Sequence, residues 1–91
     1  MQRKSSLPLN RLSIQWSAAA LVVFYRLSVS SATSVDRAVI QLAETGAGNL
    51  EWLAPYHRLR VGNFNVMLVI DKKHQTVYVL AIYRAASERI H

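Results

Sequence analysis

The sequence predicts an α+β fold: an N-terminal strand and two helices, then a three-stranded antiparallel meander, all in one sheet with the helices packed on one face. Three observations carry this. Apolar residues alternate with polar ones over residues 12–17, recur at helical spacing between residues 18 and 46, and return to strand-like runs from residue 57. At 91 residues and 52% hydrophobic, the chain can bury one core, and a split would leave neither half with a workable one.

Residues 1–11 are polar, contain Pro8 and show no period, and are expected to form a flexible N-terminal extension to a single domain spanning 12–91. Leu12, Ile14 and Trp16 alternate with Ser13, Gln15 and Ser17, the period of a half-buried strand. Ser17 is a suitable N-cap for a helix over Ala18–Leu27, which the serine-rich run Ser28–Ser34 is expected to break. Thr33 to Asp36 fits a capping box, and Val35, Ala38, Val39, Leu42 and Ala43 then follow at helical spacing to Gly46. Leu50, Trp52 and Leu53 are expected to anchor the next loop on the core. Three strands follow, His57–Val61, Phe64–Asp71 and Gln75–Arg84, joined by Gly62-Asn63 and by a turn at Lys72-Lys73.

The charge is uneven. Eleven Lys and Arg against five Asp and Glu give +6 overall. Residues 1–11 contribute +3 (Arg3, Lys4, Arg11), and residues 12–56 contribute −1 (Arg26 and Arg37 against Asp36, Glu44 and Glu51). Residues 57–91 contribute +4 (Arg58, Arg60, Lys72, Lys73, Arg84 and Arg89 against Asp71 and Glu88). A polyanionic partner is therefore expected, and its site lies in the C-terminal third. The absence of cysteine excludes disulfides, thiol nucleophiles and Cys-type metal sites, and neither a metal nor a cofactor is expected. The longest apolar run, Ala18–Tyr25, is far short of the ~20 residues that span a bilayer. Basic residues ahead of that run resemble a secretory leader, but Trp16 and Arg26 crowd its ends and cleavage would remove a third of the domain. No membrane association and a cytoplasmic location are the expectation.

A two-residue turn at Gly62-Asn63 sets Val61 opposite Phe64, Arg60 opposite Asn65 and Arg58 opposite Met67. Leu59, Val61, Phe64, Val66, Leu68 and Ile70 then form one apolar face, while Arg58, Arg60 and Asn65 point the other way. A two-residue turn at Lys72-Lys73 adds Leu80, Ile82 and Arg84 to the arginine face and leaves Tyr83 with core parity; a turn one residue longer moves Arg84 across. Converging guanidinium groups suit phosphate, each offering a planar fork of donors with a permanent charge. The plainer reading is that they solvate the outer face of a one-sided sheet. Arginines do not carry protons at working pH, so a separate proton carrier is needed, drawn from His57, His74 and His91. His57 shares parity with the core and His74 sits in a turn, which leaves His91.

Tyr56 to Val66 (YHRLRVGNFNV), the Ile70-Asp71 strand end, Val79 to Arg84 and the ending Glu88 to His91 resemble the RelE/ParE-type toxins of type II toxin–antitoxin systems, over roughly residues 12–91. The resemblance implies a toxin: first a ribosome-dependent messenger-RNA endonuclease, as in the RelE branch, with a non-enzymatic DNA gyrase inhibitor, as in the ParE branch, or a catalytically weakened homologue as the alternatives. It matches Arg58, Arg60, Arg84 and His91 to catalytic positions, and implies RNA contacts at Lys72, Lys73, Arg89 and Asn65. Asn65 stands where the family pattern has an arginine, and the family's lysine or acidic base is not evident. The reaction implied needs no metal: a ribose 2′-OH attacks the adjacent phosphate. The partners implied are ribosome-bound messenger RNA, with ribosomal RNA contacts, and an acidic antitoxin in a hetero-oligomer, wrapped on the sheet edge and helices.

Overall fold

In the computed structural model, which describes residues 11–85, the elements are β1 (Ser13–Trp16), α1 (Ala18–Phe24), α2 (Val29–Thr45), β2 (Leu50–Leu53), β3 (Tyr56–Val61), β4 (Phe64–Asp71) and β5 (Thr76–Arg84). They build one five-stranded sheet in the order β1-β5-β4-β3-β2, antiparallel except where β1 runs parallel to β5. The expected α+β architecture is present. The predicted extension over residues 1–11 falls, apart from Arg11, outside the described residues.

Ser17 ties the first strand to the first helix. Its hydroxyl accepts the Ala20 N–H at 3.0 Å, capping α1, and donates to the Leu80 carbonyl at 2.7 Å, pinning that helix start to β5. The expected break between two helices is present but falls earlier, at residues 25–28, so that α1 ends at Phe24 and most of the serine-rich run is helical. Ser28 is itself the N-cap, accepting from Ser31 N–H at 3.1 Å, and α2 begins at Val29 rather than near Thr33. Ser30, Thr33 and Ser34 face solvent, where their modest helix propensity costs little, while Val35, Val39, Leu42 and Ala43 are buried against the sheet.

Residues 50–53 form a strand instead of a loop anchor. Leu50 pairs with Leu59 and packs against the core, but Trp52 and Leu53 are exposed on this edge. Just before it, Gly48 has φ +154°, and an added Cβ would lie 2.9 Å from Cδ1 of the fully buried Leu59. Gly48→Ala is therefore expected to cost about 1–3 kcal/mol, read as a lowered Tm in thermal denaturation.

Gly62, at φ +57°, turns β3 into β4 with the expected register, Val61 opposite Phe64 and Arg60 opposite Asn65. The second turn is longer than two residues: Asp71 pairs with Thr76, so residues 72–75 form the loop, closed by Gln75 N–H to the Lys72 carbonyl at 3.2 Å. The Asp71 carboxylate organises it, accepting the His74 N–H at 3.1 Å and meeting His74 Nδ1 at 2.7 Å. These His74 hydrogen bonds hold the Asp71 carboxyl below its ordinary range. A depressed carboxyl stabilises the fold above its unfolded pKa, and that contribution fades as pH falls through the folded value.

At the middle of β4, between Met67 and Leu68, the ladder slips. Leu68 faces Val79 but Met67 faces Ala81, leaving Leu80 as the extra residue of a β-bulge. Every β5 side chain after Leu80 therefore changes face relative to an unbroken alternation. Ile82, predicted on the arginine face, is buried in the core opposite Val66. The core face otherwise has the predicted composition, with Leu59, Val66, Leu68, Val77 and Val79 fully buried beneath α1 and α2.

Candidate functional site

The sheet face away from the helices carries two cross-strand rows. One runs Glu51, Arg58, Met67, Ala81 across β2 to β5, and the next runs Arg60, Asn65, Tyr83 across β3 to β5. Arg58 and Arg60 thus share the open face, as expected. Arg84 does not join them. Paired with Phe64, it belongs to the helix-side face at the strand end, where its guanidinium lies 5.2 Å from the Phe64 ring centroid. The expected three-arginine convergence is corrected to two, because the bulge at Leu80 reverses parity at the end of β5. The same reversal brings Tyr83, expected in the core, onto the open face beside Asn65 at 44% exposure.

Both arginines are held by neighbours. Arg58 Nη2 pairs with Glu51 Oε1 directly across the β2–β3 ladder. Arg60 Nε donates to the Gly62 carbonyl at 2.7 Å, folding that side chain back toward the turn. Each guanidinium keeps further N–H groups beyond these bonds. Asn65 is 5% exposed, and its Oδ1 is buried without a hydrogen-bond partner among the described residues.

The other predicted residues are more scattered. Lys72 and Lys73 occupy the β4–β5 turn, just past Asp71, which is six β4 positions from Asn65, or ~20 Å at the rise of a strand. They fall outside the arginine cluster, within reach only of a ligand that runs along the sheet. Arg89 and His91 lie outside the described residues. His57 faces the helix side and stacks on Trp52 at 4.8 Å between ring centroids, and His74 belongs to the Asp71 turn. On that helix side a cleft of about 710 Å³ opens between the end of α2 and the sheet, floored by Leu12, Leu42, Leu50 and Ile70.

Two members of the open face escaped sequence reasoning. Glu51 lies in a stretch that the sequence presents as a loop, because no local pattern marks a four-residue edge strand. For Tyr83, simple alternation along β5 predicts the core face, and a bulge breaks that alternation without a sequence signature. Glu51 places a carboxylate on this face, paired with Arg58 across the β2–β3 ladder.

The fold and this face define the class to which the molecule is similar. Its fold is that of the RelE/ParE-type toxins. It superposes on a RelBE toxin–antitoxin complex from Mycobacterium tuberculosis with a TM-score of 0.74 at 18% identity, covering 85% of this chain and 94% of that one. The isolated E. coli RelE toxin gives 0.71 at 11% identity, covering 86% and 88%. The chromosomal ParDE toxin–antitoxin system of P. aeruginosa gives 0.67 at 13%, covering 85% and 99%. No protein-family model and no curated protein matches the sequence. Among the described residues, no helix is long and apolar enough to cross a membrane.

Proposed function

We propose that this chain is the toxin of a toxin–antitoxin pair and cuts messenger RNA on the ribosome. The observation that carries the reading is the open sheet face itself. On a RelE-type fold it sets two arginines, a carboxylate and an exposed tyrosine on one surface around the buried Asn65. Arg60 and the free edge of Arg58 bind the scissile phosphate and stabilise its pentacoordinate transition state. Glu51 accepts the proton of the ribose 2′-OH as that oxygen bonds to phosphorus. The bond to the 5′ oxygen breaks, leaving a 2′,3′-cyclic phosphate, and His91 returns a proton to the departing oxygen. Lys72 and Lys73, with Arg89, track the backbone farther along.

An acidic antitoxin fits the rest of the surface. Val22, Tyr25 and Val29 are exposed apolar residues around the two helices, and among the described residues β2 leaves an unpaired strand edge. A segment with acidic and apolar residues would cover both, in the cytoplasm where messages are translated.

Glu51→Gln is the direct test. The variant keeps the shape of the side chain but takes up no proton, so induced expression is expected to give about 10²- to 10⁴-fold slower cutting of translated messages by primer extension. Wild-type rates in that variant would remove Glu51 from the reaction. The Arg58–Glu51 pair and the separation of Arg84 favour one second reading, a ParE-like toxin that grips DNA gyrase without cutting RNA. Intact messages with accumulating DNA breaks on expression of the wild type would establish it.

A further inference from the structure

We infer that residues 1–10 fold back on their own chain and seat Leu7-Pro8-Leu9 in the helix-side cleft beneath the end of α2; this is independent of the RNA-cutting reading above. The starting observation is the lining of the cleft. Leu12, Leu50 and Ile70 pack against the core yet are only half-buried, and with Leu42 they floor a space of about 710 Å³. A cleft of that size takes a drug-sized, mostly apolar occupant. Two leucines with a proline between them match it in size and chemistry.

Reach selects this segment. Residues 1–10 lie outside the described residues, but the point at which they join the fold is fixed. Leu12 N–H donates to the Ala43 carbonyl at 2.8 Å and Ser13 N–H donates to the Gln75 carbonyl at 2.8 Å, so the chain arrives at the wall of the cleft. From there Ile70 is two strands away, across β5 to β4, or ~10 Å at the spacing of a sheet. Leu9 and Leu7, three and five residues before Leu12, extend up to ~10 and ~17 Å. The other end of the chain falls short. β5 carries it eight residues, ~26 Å, from Val77, the partner of Ile70, to Ala85, and the six residues beyond span at most ~22 Å.

Local chemistry agrees. The residue before a proline is held extended, and side chains two apart in an extended chain point the same way, so Leu7 and Leu9 enter the cleft together. Pro8 brings no N–H that burial would leave unpaired. Charge completes the fit. The last turn of α2 holds Glu44 and no basic residue, and the carbonyl end of the helix adds partial negative charge. Arg11 already lies 3.7 Å from Glu44, and Arg3 and Lys4 bring the same sign toward that end. Lys72, on the opposite rim, is exposed, and its charge is screened by solvent.

The test is NMR on the isotope-labelled full-length protein. Methyl–methyl NOEs are expected from Leu7 or Leu9 to Ile70 and Leu42, and none to Val29 at the other end of α2. Leu7→Asp/Leu9→Asp is expected to abolish them and to lower Tm by about 4 °C or more, since two leucines leave the cleft. The same NOEs found between differently labelled chains in a mixed sample would assign the cleft to a second copy and overturn the inference. No NOE from Leu7 or Leu9 to the cleft, or an unchanged Tm in the double variant, would also overturn it and leave the cleft to a segment of another protein.

Discussion

Truncating Leu68 to alanine is expected to lower stability by about 2–5 kcal/mol, a large share of the roughly 5–15 kcal/mol that holds a small domain folded. Leu68 is fully buried on the central strand β4, between β3 and β5, with α1 and α2 above the same face. Its backbone is hydrogen-bonded on both sides, opposite His57 and Val79, so the strand cannot move in to fill the space. The bulge beside it adds a second constraint, because any shift of Leu68 disturbs the face change that positions Ile82. The cost is read from urea denaturation as a lowered midpoint with an unchanged m-value. Val29→Ala, at a residue 84% exposed, is the matched comparison and is expected to stay within about 0.5 kcal/mol of the wild type. A Leu68→Ala penalty below that of Val29→Ala would mean that the core does not lie between β4 and the helices.

The elements that sequence reasoning reached are those whose physics is local. Ser17 caps its helix because a hydroxyl at that position can reach the Ala20 N–H, and Gly62 turns β3 into β4 because it accepts a positive φ. Both follow from residues within three positions of each other. The apolar face of β3 and β4 was legible for the same reason, since the Gly62-Asn63 turn fixes the pairing of its own two strands. What sequence reasoning missed depends on partners far along the chain. Leu50–Leu53 is a strand only because β3 offers it a free edge, and four residues carry too little pattern to announce that. Leu80 is a bulge where the Ser17 hydroxyl, 63 positions away, bonds its carbonyl, and nothing in Val79 to Arg84 signals it. The start of α2 was missed through propensity: serines read as a break, whereas the buried stripe beginning at Val35 stabilises the helix regardless of its solvent face. At the candidate site this divides the outcome by strand. Arg58, Arg60 and Asn65 stand on the strands flanking the legible turn, whereas Tyr83 and Arg84 stand beyond the bulge with their faces exchanged.

That exchange separates two arginines the sequence treats alike, and Arg60→Ala is expected to reduce RNA cutting by about 10²-fold or more while Arg84→Ala stays close to the wild type. Arg60 faces the open surface beside Asn65 and Tyr83, and its loss removes a permanent charge and a planar fork from the phosphate. Structurally it gives up only one exposed bond, to the Gly62 carbonyl, worth about 0.5–1.5 kcal/mol, so the protein still folds. Arg84 covers the Phe64 ring on the helix side, and its removal costs about 0.5–1 kcal/mol of cation–π attraction without touching the open face. Arg60→Lys refines the comparison: it keeps the charge but not the bidentate geometry, and is expected to fall between the wild type and Arg60→Ala. The measurement is primer extension on a translated message at matched protein levels, with thermal denaturation of each variant alongside. Equal losses in Arg60→Ala and Arg84→Ala, both fully folded, would mean that the reacting phosphate sits at the end of β5 rather than on the sheet face. The site would then have to be rebuilt around Arg84 and Phe64.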